Sequence, residues 1–182
     1  MCSSDLLGTA QRYRGRLAWG IALQGAGNAA AARAQFVFCL LAFACLTAAF
    51  VLQDFSVLYV ATNSNSALPL YYRFSAVWGA HEGSLLLWAL ILAGWTVAVT
   101  LFSRNLPDVF RVRVVAVMGA VSVGFYLFML LTSNPFSRLL PAAVEGNDLN
   151  PLLQDPGLAF HPPTLYAGYV VLSRSEEHTS EL

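Results

Sequence analysis

Two histidines and their neighbours are the residues here with the most chemistry to offer. His161 lies between Phe160 and the pair Pro162-Pro163. A neutral imidazole is a standard axial ligand for haem iron. The prolines narrow the backbone around it and would pre-position the ring. The same residue would serve equally as a hydrogen-bonded histidine at a membrane edge. His81 and Glu82 sit in the string W-G-A-H-E-G-S-L-L-L-W at 78–88. The dipeptide invites comparison with the zinc motif H-E-x-x-H, but position 85 is Leu, so a metallopeptidase is excluded. A His–Glu pair anchoring a helix start is one reading of the dipeptide. Gly79 and Gly83 would also let a flat ligand or another backbone approach closely. Trp78, His81 and Glu82 are therefore a second candidate binding group beside His161. Trp88 and Trp95, seven apart on one helical face, fit bundle packing as well as a cofactor. Asp148 and Asp155 suit a cation or simply a solvated loop.

These residues need a scaffold, and the composition indicates a membrane. The chain has 182 residues, 57% of them hydrophobic and 11% charged, with a mean hydropathy of +0.60. A soluble domain is about a quarter charged. Ten arginines and no lysine balance ten acids, and nothing resembles the basic stripe of a nucleic-acid binder. No C-x-x-C-H occurs, so the chain is not itself a c-type cytochrome. Cys39 and Cys45 fall on different helix faces and read as small core residues.

Three stretches without charge inside them are long enough to span a bilayer, at about 34–52, 84–102 and 114–132. A fourth begins at Leu165 and runs to about 173. The expected fold is an all-α polytopic bundle with three full spans, the start of a fourth, and structured outward loops. Arginines set the orientation: Arg12, Arg14, Arg16 and Arg33 precede the first span, Arg73 alone lies in 53–83, Arg104, Arg111 and Arg113 lie in 103–113, and Arg138 alone lies in 133–164. By the positive-inside rule, 53–83 and 133–164 face outward. Leu70, Phe74, Val77 and Trp78 share a helical face, which predicts an interfacial helix over 69–78. Ser84 is the expected N-cap of the second span. Asn-Pro at 134–135 and 150–151, Asp-Pro at 155–156 and Pro162-Pro163 predict turns and extended chain up to the fourth span, placing His161 just outside it.

The termini read as foreign. The sequencing-adapter string AGATCGGAAGAGCACACGTCTGAACTC translates to R-S-E-E-H-T-S-E-L, residues 174–182, and its reverse complement, read from a GTG start, gives M-C-S-S-D-L, residues 1–6. Residues 7–173 are then expected to be an internal piece of a longer membrane protein, with nine arginines against six acids.

Four strings carry a resemblance: D-F-S-V-L-Y-V-A at 54–61, W-G-A-H-E-G-S-L-L-L-W at 78–88, T-S-N-P-F-S-R at 132–138, and G-N-D-L-N-P-L-L-Q-D-P-G-L-A-F-H-P-P at 146–163. Together they resemble the haem-lyase CcmF/NrfE family of cytochrome c-type biogenesis proteins. The resemblance implies a multi-pass subunit of the bacterial inner membrane. It would take haem from a haem chaperone and help attach it to apocytochrome c on the periplasmic side, together with other maturation subunits. It implies that His161 matches a periplasmic haem ligand, with Trp78, His81 and Glu82 as weaker cofactor-binding candidates and no metal beyond haem iron. The family's further haem ligands and its tryptophan-rich segment would lie downstream, so this piece alone should not be an active haem lyase. Thr164 and Ala167 depart from the family's usual H-P-P-L-L-Y-M-G-Y. A small-molecule transporter, or a structural subunit of a membrane complex, would show the same architecture. A transporter would more often break its helices or carry polar groups at midspan, which these spans do little of.

Overall fold

The computed structural model describes residues 29–103 and 107–175. The strings 1–6 and 176–182, the stretch Leu17 to Gly27, and Arg12, Arg14, Arg16 and Arg104 lie outside the described residues. Helix α1 runs over Ala29–Leu52. Two short helices follow, α2 (Leu58–Asn63) and α3 (Leu70–Ala76), then two long ones, α4 (His81–Phe102) and α5 (Asp108–Thr132). A 3-10 turn at Pro151–Gln154 leads into α6 (Pro156–Ser175). Helices α1, α4 and α5 are long and apolar enough to cross a membrane. At 1.5 Å per residue, 22 residues reach about 33 Å, slightly more than the hydrocarbon core. Each begins several residues before its expected charge-free stretch. Charges at a span's end do not stop a helix, because long side chains snorkel to the interface.

Helices α4 and α5 pack antiparallel. Trp88 meets Phe125 edge to face at 4.9 Å, and seven residues earlier His81 meets Phe128 at 6.0 Å. Helix α6 lies on α4 through Tyr166, whose ring stacks on Trp88 at 5.3 Å and 10°. Helix α1 joins them through Gln35, which donates to the Tyr126 hydroxyl at 3.2 Å. Its last turns carry Leu46 and Phe50, both fully buried, into a layer of loops over one end of the bundle. Phe50 meets Tyr59 of α2 edge to face at 5.2 Å. Helix α1 ends with Gln53 at φ 58°. Asp54 N–H reaches the Ala49 carbonyl at 2.9 Å and Gln53 N–H reaches Phe50 at 3.3 Å, the two bonds of a Schellman end. The Gln53 amide holds the bend by donating to the Asn65 carbonyl at 2.5 Å.

Three expectations are corrected. Ser84 does not cap α4. The helix starts at His81 with Ala80 at its N-cap, and the Ser84 hydroxyl donates back to the Trp78 carbonyl at 2.7 Å. Pro162 and Pro163 do not hold the chain extended. They lie inside α6, which starts at Pro156, nine residues before the expected start of the fourth span. Asp155-Pro156 is a helix start, not a turn: Asp155 accepts the Gly157 N–H at 2.7 Å and Pro156 takes the first helical position. Proline's fixed φ is itself helical, so a proline costs a ladder bond and a clash, not the dihedral. Packing of Tyr166 on Trp88 and the Asp155 cap offset that cost. His161 is therefore in the second turn of α6 and not outside the helix. The segment 133–155 is a structured loop, as expected, and it is stitched to 53–68.

The stitching is dense. Val57 and Arg138 form an isolated antiparallel bridge. Leu58 N–H donates to Ser137, and Leu139 N–H to Ser56, each at 2.8 Å; Asn147 N–H donates to Ala61 at 2.7 Å. Leu149 is fully buried beneath. Helix α3 fits its expectation in extent but divides its apolar face. Val77 and Trp78 are buried, whereas Leu70 is 62% and Phe74 48% exposed.

Candidate functional site

Each candidate side chain is held at the loop-capped end of the bundle. The turn 77–80 delivers His81 and Glu82 to the first turn of α4, and it is set by Tyr59. The Tyr59 hydroxyl donates to the Val77 carbonyl at 3.1 Å and accepts the Ala80 N–H at 3.2 Å. Burial pushes this phenol well above its ordinary value, so it stays a neutral donor. Gly83 faces the same turn. A Cβ there would stand 1.7 Å from the Val77 carbonyl oxygen and 2.6 Å from the Tyr59 hydroxyl. The glycine of the H-E-G string thus admits the chain's own turn, not a flat ligand.

His81 is exposed at the rim. Its Nδ1 is 3.2 Å from the Ser133 hydroxyl, tying the start of α4 to the end of α5. It does not pair with Glu82; neighbours on a helix point about 100° apart. Glu82 makes no hydrogen bond or ion pair among the described residues. Trp78 is buried with its ring edge to face on Phe74 at 5.3 Å. Trp78, His81 and Glu82 are therefore close along the chain but do not converge on one space.

His161 differs from them. It is exposed, and its ring makes no hydrogen bond among the described residues. It precedes Tyr166 by five residues, about 140° around the helix, so it faces away from α4. Leu165 and Tyr169, one and two turns on, are exposed at 40% and 58% on that same face, with Phe160 beside it at 59%. The Thr164 hydroxyl donates to the His161 carbonyl at 2.9 Å and to that of Phe160 at 3.1 Å, a side-chain bond back to the preceding turn of α6. An exposed imidazole above an apolar, partly aromatic helix face suits a large flat apolar ligand with a metal at its centre. It offers one axial nitrogen.

Among the residues that hold the rim, Asp54, Ser56, Ser66 and Glu145 were not singled out in the sequence, and Arg138 only for orientation. Asp54 accepts the Ser56 hydroxyl at 2.5 Å and its N–H at 3.1 Å, and Arg138 joins from the opposite segment with 2.5 Å to Ser56 and 3.4 Å to Asp54. Those bonds, the Ser56 hydroxyl foremost, hold the Asp54 carboxyl below its usual range. Glu145 accepts the Ser66 N–H at 2.8 Å and hydroxyl at 2.7 Å, which likewise depresses its carboxyl. Asp148 accepts from the Asn65 amide, so it serves this seam; Asp155 caps α6. The available signal was Asp two residues before Ser, the signature of an Asx turn. Its partner, Arg138, lies 84 residues away.

Comparison with known proteins matches residues 78–175 to a family described as Cytochrome C assembly protein. The chain is similar to the cytochrome c-type biogenesis protein CcmF of Pseudomonas aeruginosa, 69% identical over 144 residues, covering 79% of this chain and 22% of that one. It is 58% identical over 160 residues to the protein of the same name from Escherichia coli, covering 85% and 25%. Among solved structures it resembles a cytochrome c haem lyase CcmF, with a TM-score of 0.67 and 29% identity over 87% of this chain and 27% of that one. The chain thus spans about a quarter or less of these relatives' length.

Proposed function

Because the chain belongs to the cytochrome c assembly protein family, we propose that it is the haem-receiving part of a cytochrome c maturation subunit in the bacterial inner membrane. Haem is the cargo. His161 takes one axial position of its iron at the periplasmic rim, and the exposed face of α6 supports the porphyrin. A haem chaperone delivers the cargo, and apocytochrome c, presented with other maturation subunits, accepts it. The observation that carries the reading is the His161 ring, exposed and without a hydrogen bond among the described residues, on a helix whose start is fixed by the Asp155 cap. A single imidazole leaves the second axial position to a group beyond these residues, so haem transfer belongs to the longer protein.

The test uses the full-length protein purified from cells that supply haem chaperone. His161→Ala should remove the haem absorbance retained after affinity purification and abolish holocytochrome c formation. His161→Gly with added imidazole should restore part of the absorbance. Haem retention and cytochrome yield unchanged in His161→Ala would end the proposal.

A further inference from the structure

The two prolines inside α6 leave a gap in its hydrogen-bond ladder, and the gap can be placed residue by residue. In an α-helix each N–H donates to the carbonyl four residues before it. Pro162 and Pro163 have no N–H to give. The Leu158 and Ala159 carbonyls therefore receive no ladder donor. Their neighbours do: the N–H groups of Phe160 and His161 serve Pro156 and Gly157, and those of Thr164 and Leu165 serve Phe160 and His161. The Thr164 hydroxyl adds a second donor to the last two, at 3.1 Å and 2.9 Å. The open acceptors thus lie within one turn of His161, on its N-terminal side.

Seen from the imidazole, they are not equivalent. Helical side chains lean toward the N-terminus, over the residues three and four before them. Gly157 is four before His161, and its carbonyl already takes the His161 N–H. Ala159, two before, is about 200° around the helix. Leu158, three before, is about 60° from His161 around the axis, and its carbonyl is open. The Asp155 carboxylate stands six residues back, about 9 Å along the axis, and accepts the Gly157 N–H. When Nε2 of a neutral imidazole binds a metal, the proton is on Nδ1 and needs an acceptor. Metal-ligating histidines almost always give it to a carboxylate, a backbone carbonyl or water. The His161 ring makes no other hydrogen bond among the described residues, so its Nδ1 is free to take this one.

We infer that Pro162 is a positioning residue for haem binding: by withholding an N–H it leaves the Leu158 carbonyl to accept the His161 Nδ1–H, which fixes the tautomer with Nε2 toward the iron. The inference rests on the reading of His161 as a haem ligand. Acceptor and ligand belong to one turn of one helix, so the arrangement is the same whatever the longer protein lays against α6. Pro163 has no such role, because the carbonyl it opens is on another side of the helix.

The full-length protein, purified with haem from cells that supply haem chaperone, tests this. Pro162→Ala returns an N–H to the Leu158 carbonyl. Haem should then pass to a scavenging apoglobin about tenfold faster, and the reduction potential of the bound haem should rise, because the weakened imidazole donor stabilises ferric iron less. Folding does not confound the result, since alanine suits a helix interior better than proline; the thermal midpoint should hold or rise. Pro163→Ala returns an N–H to Ala159 alone and should leave both the potential and the release rate at their wild-type values. Wild-type values in Pro162→Ala would overturn the inference, as would equal changes in the two proline variants. His161→Ala separates the two levels. Haem lost in His161→Ala with Pro162→Ala unchanged removes only the role of Pro162, whereas haem held equally well by His161→Ala removes the ligand reading itself.

Discussion

At the scale of single residues, the rim rests on atoms with no room to change. The hydrogens of Gly83 and Gly146 face carbonyl oxygens that a Cβ would approach to 1.7 Å and 1.9 Å. Gly83→Ala should therefore displace the 77–80 turn and lower the thermal midpoint in detergent by an amount equivalent to at least about 2 kcal/mol. Gly119→Ala, with nothing within 4 Å, is the control and should leave the midpoint unchanged or raise it. The two depressed carboxyls make a pH prediction. Asp54 and Glu145 lie below ordinary values of 3.8 and 4.5 when folded. Their contribution is therefore present above those values and is lost as pH falls through the lower folded ones. The midpoint should stay level from neutral pH to about 5 and drop below about 4. Asp54→Asn with Glu145→Gln should lower the plateau and flatten the drop; superimposable curves would contradict this role. Sequence reading found the two exposed histidines, because side-chain chemistry is local. It missed the roles of Tyr59, Arg138 and Glu145, whose partners lie 18, 84 and 79 residues away. No spacing rule reaches across such distances.

At the scale of elements, the three spans were readable because bilayer thickness fixes a length and apolar composition fixes a type. Their starts were not, since the expectation stopped at the nearest charge and the backbone does not. The misreading of α6 has a clear cause. Pro162 and Pro163 argue locally against a helix, whereas the ring stack of Tyr166 on Trp88 argues for one, and the stack is a tertiary contact. Trp88, held between Phe125 and Tyr166, is therefore the residue that fixes α6 and with it the direction of His161. Trp88→Ala should release α6 while α4 and α5 remain paired. Hydrogen exchange should rise in 156–168 and stay unchanged in 84–100. Trp88→Phe should restore most of the protection. Equal protection in all three proteins would show that α6 is held by something else.

At the scale of the whole molecule, α4 and α6 start at the same end of the bundle, and α1 and α5 finish there. The loop layer over that end joins 53–68 to 133–149 and so converts two connections into one platform. His81 and His161 both stand on it, one tied to Ser133 and one open. The positive-inside rule leads us to expect that platform on the periplasmic side, and the proposed haem transfer depends on it. One measurement bears on this most directly. His161→Cys in the full-length protein, with Cys39 and Cys45 replaced by Ala, is treated in intact spheroplasts with a membrane-impermeant maleimide. The account predicts rapid labelling at position 161 without lysis. Labelling that appears only after the inner membrane is broken would place the rim in the cytoplasm and contradict it.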